Sequence, residues 1–128
     1  MTREIRLPLR FRDVDAFGHV YHAEYLTLLD EARTRWFREA VALDEPGAYV
    51  VARIEVDYVS SLVLDDAEVV ATFAVERVGT SSVTLTETLS APDGRVAARV
   101  RSVTVRHDLT AGRSRLLTDA EKDRLAQI

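Results

Sequence analysis

The chain has 128 residues, 47% of them apolar and 30% charged, with a net charge of −4 and an acidic pI near 5.4. That is the size and balance of one ordinary soluble domain, read as spanning residues 1–128, and it excludes a general nucleic-acid binder. There is no cysteine, which excludes disulfides and thiolate ligands. No apolar run approaches the roughly 18 residues that span a bilayer, and Met1-Thr2-Arg3-Glu4 lacks the apolar stretch of a signal peptide, so a cytoplasmic protein without a membrane partner is expected.

Residues 5–12 read as a first strand, which Pro8 confines to a sheet edge or a bulge. The turn around Gly18 leads into a helix predicted over 21–41, where Tyr25, Leu28, Leu29, Ala32 and Trp36 form one apolar stripe. Its opposite face carries Glu24, Glu31, Arg35, Arg38 and Glu39, with Glu31 and Arg35 at the i, i+4 spacing of an ion pair. Pro46-Gly47 marks a loop. Residues 50–58 alternate Val50, Ala52, Ile54, Val56 and Tyr58 with more polar neighbours, predicting a strand with one dry face. Residues 67–78 place Val69, Ala71, Phe73 and Val75 on one face, and 82–91 place Val83, Leu85 and Leu89 on one face with Glu87 among them. That glutamate is expected at a dimer edge or paired with an arginine on a neighbouring strand. After the Pro92-Asp93-Gly94 turn comes a strand over 95–107, whose apolar set shifts from Val96, Ala98 and Val100 to Val103 and Val105, predicting a bulge or a twist near Arg101-Ser102. Thr118-Asp119-Ala120-Glu121 has capping-box spacing and opens a short surface helix. The order, one long helix followed by antiparallel strands, is that of an α+β fold with the helix on one face of a curved sheet.

The chemistry concentrates in Asp13-Val14-Asp15-Ala16-Phe17-Gly18-His19-Val20-Tyr21-His22-Ala23-Glu24-Tyr25. Two carboxylates, two imidazoles and a turn glycine stand directly before a helix N-terminus, where free backbone N–H groups favour negative charge. A carboxylate there can act as base or nucleophile, although spacing alone favours Asp15 as a turn or helix cap. Asp13 reads as solvated or paired with Arg10 or Arg12. Asp15, His19 and His22 also make a conceivable carboxylate–imidazole ligand set, but the two histidines lie across a turn and no third is near, so no metal is expected.

This segment, with its continuation Leu26-Thr27-Leu28-Leu29-Asp30-Glu31-Ala32-Arg33, resembles the signature of the hotdog-fold acyl-CoA thioesterases of the 4-hydroxybenzoyl-CoA thioesterase and YbgC-like type. The resemblance implies a hotdog fold, an antiparallel sheet wrapped around one long helix. It implies Asp15 as nucleophile or general base, Gly18 as the positive-φ turn, the His22 amide as oxyanion donor and the His22 side chain as a partner of the aspartate that orients water or the substrate. It implies His19 as a structural member of the turn, bonding backbone through its ring beside the bound substrate, and Tyr25 as core or pocket wall. Glu31 fits the same helix motif and is read as a surface salt bridge. Two departures stand out. Phe11 occupies a position usually tyrosine in the YbgC-like branch, and Ser61 stands where proline is usual in Tyr58-Val59-Ser60-Ser61-Leu62-Val63-Leu64-Asp65-Asp66.

The implied substrate is an acyl-CoA, with coenzyme A entering as part of the substrate and no separate cofactor. Arg77, Ser81, Arg99 and Arg101 are the candidates for the CoA phosphates, since guanidinium forks suit phosphate. Phe17, Trp36 and Tyr49 are candidate walls of the acyl pocket. The resemblance also implies a homodimer or homotetramer with sites between protomers. A hydrolase of acyl-carrier-protein thioesters, a hotdog dehydratase and a non-catalytic acyl-CoA-binding module are the alternatives. The residue pattern of a dehydratase is not seen, and an intact Asp15 and Gly18 argue against the binding module.

Overall fold

The computed structural model of the protein describes residues 3–128. Strand β1 (Ile5–Pro8) leads through a 3-10 turn at Phe11–Asp13 to the long helix α1 (Glu24–Glu39). Strands β2 (Tyr49–Tyr58), β3 (Glu68–Val78), β4 (Ser82–Ser90) and β5 (Val96–Asp108) follow, then the short β6 (Arg113–Ser114) and helix α2 (Asp119–Ala126). The strands form one antiparallel sheet in the order β1-β3-β4-β5-β2, with β6 paired to the far end of β5. No helix among the described residues is long and apolar enough to cross a membrane.

The apolar stripe of α1 is buried as the periodicity requires, and Arg33 and Phe37 join it. Trp36 is fully buried and stacks on Phe37 and Phe73, with ring centroids 5.5 and 5.4 Å away. Ile5 and Leu7 of β1, Val69, Ala71 and Phe73 of β3, and Val83, Leu85 and Leu89 of β4 complete the core under the helix. Burying each of the larger of these side chains contributes about 1.5–3 kcal/mol, so the sheet's apolar face and the helix stripe hold each other. An α+β fold with a sheet packed around one helix is therefore what the chain forms.

Glu87 is the exception on that apolar face. It pairs not with a strand or dimer edge but with Arg33 of α1. The Arg33 Nε and Nη2 donate to its two oxygens at 2.6 and 2.8 Å, and the Ser102 hydroxyl of β5 donates to it at 2.8 Å. Glu87, Arg33 and Ser102 are all buried.

Several expectations are corrected in detail. The first strand ends at Pro8, and residues 11–13 turn instead, because the Asp13 carboxylate accepts the Arg10 backbone N–H at 2.8 Å. As the proline requires, β1 is an edge strand, paired only to β3. The helix begins at Glu24, three residues later than its pattern implied, since residues 14 and 20 pair as an isolated bridge. Pairing with β2 and β4 runs through Arg101-Ser102 themselves without a shift; the irregularity with β2 lies just beyond, where Val51 and Arg53 face Thr104 and Val103, and Ser102 and Thr104 keep the buried face. The apolar pattern misleads there because Val103 and Val105 belong to the other face, while small hydroxyl residues line the core. Strand β2 does not show the simple dry face of its alternation; most of it is exposed, as the outer strand of the sheet. Arg35 pairs with Glu39 at 3.8 Å and not with Glu31.

Helix α2 starts with the capping box its sequence announces: the Glu121 N–H donates to Thr118 Oγ1 at 3.1 Å and the Thr118 N–H to Glu121 Oε1 at 2.9 Å. Glu121 also accepts from Tyr49 and Arg115. Burial alone would raise its pKa, but the bonds from Arg115, the Thr118 backbone and Tyr49 prevail and pull it down to about 2. Burial and the neighbouring Glu121 push the Tyr49 hydroxyl well above the ordinary tyrosine range.

Glu87→Gln removes the buried counter-charge of the Arg33 guanidinium and leaves it only the exposed Asp30, at 3.5 Å. The expected loss is about 3–5 kcal/mol, read as a lowered urea midpoint with an unchanged slope; an unchanged midpoint would show that the pair does not hold the helix to the sheet.

Candidate active site

The segment before α1 folds onto itself through backbone hydrogen bonds. The Asp15 N–H donates to the His19 carbonyl at 2.8 Å, and the Gly18 N–H donates to the Asp15 carbonyl at 3.0 Å. Gly18 closes the turn at φ 78°, a left-handed conformation that a Cβ disfavours. Isolated bridges Val14–Val20 and His19–Val63, with the Val20 N–H donating to the Leu62 carbonyl at 2.8 Å, pin the turn against the chain entering β3. The Tyr21 N–H donates to the Asp13 carbonyl at 3.0 Å, so the turn and the helix start are tied together.

Within this frame the Asp15 Oδ1 accepts the N–H groups of Phe17 at 2.9 Å and His19 at 3.2 Å. Its Oδ2 accepts no hydrogen bond among the described residues. One oxygen thus caps the turn, as spacing alone allowed, and fixes the direction of the other.

The start of α1 is uncapped. The residue before its first turn is Ala23, which offers no side-chain acceptor, in contrast to Thr118 at α2. The Glu24 N–H donates to the Tyr21 carbonyl at 2.8 Å and the Leu26 N–H to the Ala23 carbonyl at 3.1 Å. The N–H groups of His22 and Ala23 have no partner among the described residues. Two free donors at the positive end of a 16-residue helix suit a developing negative charge.

Asp15, His19, Val20, His22, Tyr25, Tyr58 and the run Val59-Ser60-Ser61 line one cleft of about 360 Å³. The Tyr25 hydroxyl accepts the Leu62 N–H at 3.2 Å and donates to the Ser60 carbonyl at 3.5 Å. Burial raises its pKa, so the phenol stays protonated. The Tyr58 hydroxyl donates to the His22 carbonyl at 2.8 Å, and its ring packs edge-on to Tyr25 at 5.1 Å and His22 at 6.4 Å.

The expected residues Asp15, His19, His22 and Tyr25 are therefore brought together, with Gly18 shaping the turn. The hydrogen bonds of the two imidazoles differ from expectation. His19 bonds the turn through its backbone and not its ring, and no hydrogen bond joins the His22 ring to Asp15. Asp13 is paired with Arg10 but fully buried, not solvated, and does not line the cleft. Phe11 is 83% exposed and also lies outside it. Among the described residues no group of three or more His, Asp or Glu side chains is placed to hold a metal ion.

The candidate phosphate ligands lie outside this cleft. Arg77 lines a separate groove of about 500 Å³ with Thr80 and Lys122. Arg99 is exposed on β5. Arg101 is engaged by Glu76 at 2.8 Å and Glu55 at 3.7 Å. Ser81 is half-buried, its carbonyl accepting the Arg106 N–H at 2.9 Å. Of the candidate acyl-pocket walls, Phe17 is 85% exposed beside Asp15, whereas Trp36 and Tyr49 are buried in the core and do not line the cleft. The sequence did not single out Tyr58 or Ser60 as lining this cleft. The Tyr58 stretch was visible as a motif, but nothing in it announced a return to the helix start.

The sequence profile of the Thioesterase-like superfamily matches residues 9–126. The chain belongs to this superfamily. Among its relatives, the acyl-CoA thioester hydrolase YbgC of Escherichia coli O157:H7 is 35% identical over 89 residues, which is 64% of this chain and 66% of that protein, just under two thirds of its length. A Thermus thermophilus thioesterase, solved as a complex with coenzyme A and Zn, superposes with a TM-score of 0.85 at 35% identity, over 97% of this chain and 91% of that one. The probable thioesterase YbaW of Escherichia coli superposes with a TM-score of 0.78 at 25% identity, over 97% of this chain and 96% of that one. The hotdog fold expected from the signature is thus the fold of this thioesterase-like chain.

Gly18→Ala places a Cβ at positive φ where no neighbour stands within 4 Å, so the penalty is conformational and not steric. We expect a loss of about 1–2 kcal/mol, seen as a lower melting temperature; a melting temperature equal to wild type would show that the turn tolerates another conformation.

Proposed function

We propose that this chain is an acyl-CoA thioesterase, cleaving an acyl-CoA with water to the free acid and coenzyme A. The observation that carries the reading is the juxtaposition in one cleft of Asp15, with one unengaged carboxylate oxygen, and the uncapped N-terminus of α1. The relatives' names supply the thioester class; the geometry suggests who does what.

As a base, Asp15 takes a proton from water while the oxygen attacks the thioester carbon. The tetrahedral oxyanion then collapses, expelling the CoA thiolate, which receives that proton. As a nucleophile, Asp15 bonds to the carbonyl carbon and expels the thiolate, and water hydrolyses the resulting anhydride. Both routes build negative charge on the former carbonyl oxygen, and the His22 N–H is the donor assigned to it. The His22 imidazole, exposed beside the cleft, is assigned to orient water or the acyl group. His19 and Tyr25 are assigned to the wall that meets the substrate. Coenzyme A enters only as part of the substrate, and no step runs through a metal.

Arg77, Ser81, Arg99 and Arg101 remain the candidates for the CoA phosphates. Their separation from the cleft in one protomer fits a substrate that runs between two. Strand β2 supports such an assembly: it is an outer strand, with Val50 and Val51 exposed at 42% and 39%. An open edge with exposed apolar side chains favours pairing, so a homodimer or homotetramer is proposed.

Asp15→Asn keeps the shape of the side chain and removes its basicity. Thiol release from a panel of short, long and aromatic acyl-CoAs should fall roughly 10²–10⁴-fold while the fold and CoA binding persist; hydrolysis at the wild-type rate would overturn the assignment. The protein's lack of cysteine keeps the thiol assay free of its own background. Light scattering coupled to size exclusion should give a mass of two or four chains at micromolar concentration, and a monomer there would refute the shared site.

A further inference from the structure

We propose that Tyr58 is a positioning residue that holds the Ala23 N–H as a second oxyanion donor beside that of His22. This rests on the reading of the cleft as a thioesterase site. The inference starts from how the first turn of α1 is bonded. In a regular helix the His22 carbonyl would accept the N–H four residues on, that of Leu26. Here the Leu26 N–H goes to the Ala23 carbonyl at 3.1 Å, which leaves the His22 carbonyl open. The Tyr58 hydroxyl, from the end of β2, fills that vacancy at 2.8 Å.

The consequence follows from the planarity of the peptide bond. The His22 carbonyl and the Ala23 N–H belong to one rigid unit and point in opposite directions. A bond that fixes the oxygen therefore fixes the direction of the N–H and polarises it. The His22 N–H is fixed in the same way by its own peptide unit, because the Tyr21 carbonyl accepts the Glu24 N–H at 2.8 Å. Both unpartnered amides thus have their carbonyls tied down, one by the helix and one by Tyr58. Tyr58 itself is braced edge-on by Tyr25, with centroids 5.1 Å apart. Partial burial raises the pKa of its hydroxyl, which keeps it a donor at neutral pH.

Tyr58→Phe removes the hydroxyl and keeps the ring. With acyl-CoA substrate, kcat should fall about tenfold, short of the roughly 10²–10³-fold that losing a donor outright costs, while KM changes little. In a ¹H–¹⁵N spectrum the Ala23 amide should shift and exchange faster, with the amides of β2 unmoved. Wild-type kcat with an undisturbed Ala23 amide overturns the role. So does a parallel change in KM and kcat with a broadly altered spectrum, which would mark Tyr58 as structural only. Asp15→Asn is assayed alongside: retained hydrolysis there would overturn the reading of the site on which this role rests, whereas a dead Asp15→Asn beside a fully active Tyr58→Phe overturns the role alone.

Discussion

The bonds between Arg33, Glu87 and Ser102 set the register of this fold. Apolar burial draws α1 onto the sheet, but burial is non-directional and would tolerate a helix slid or rotated by part of a turn. A bidentate guanidinium–carboxylate pair at 2.6 and 2.8 Å, closed by a hydroxyl at 2.8 Å, does not tolerate it. Two charges are held in a core that includes fully buried Trp36 and Leu85. Such a pair is a weak source of net stability and a strong penalty when broken, so its value here lies in fixing one arrangement of helix, β4 and β5.

That fixed arrangement is what the cleft needs. The uncapped end of α1 must face the Asp15 turn on one side and the end of β2 on the other. The turn is tied to the helix start by the Tyr21–Asp13 backbone bond and to the β3 approach by the Val20–Leu62 bond. The strand reaches the helix through Tyr58 and the His22 carbonyl. Each link is a single hydrogen bond, worth about 1 kcal/mol alone, and they agree only if the helix is already in register. The omission of a capping side chain at Ala23 is the local departure that leaves donors free.

Much of the architecture was legible from the pattern of side chains. The stripe Tyr25-Leu28-Leu29-Ala32-Trp36 and the period-2 faces of residues 67–78 and 82–91 identified a helix lying on a sheet, and the capping box at Thr118 located α2. Pattern failed where a polar residue occupies a buried position. Ser102 and Thr104 inverted the apparent face of β5, and Glu87 pointed to an arginine partner without showing that it sits 54 residues away on the helix and not on a strand. It also failed where an apolar face is left open, because alternation in β2 reports what can be buried and not what this chain buries by itself.

By itself, the sequence determined the fold class and the neighbourhood of the site. Those depend on periodicity, on a glycine suited to positive φ at position 18, and on a contiguous run of acid–base residues, all local properties of the chain. Only the tertiary structure decided that Asp13 is buried against Arg10 while Asp15 faces the cleft, that the candidate arginines stand apart from that cleft, and that Tyr58 closes on the His22 carbonyl. These are contacts between segments distant in sequence, or choices between adjacent side chains settled by which way the backbone turns. No composition or spacing encodes them until the helix is seated on the sheet.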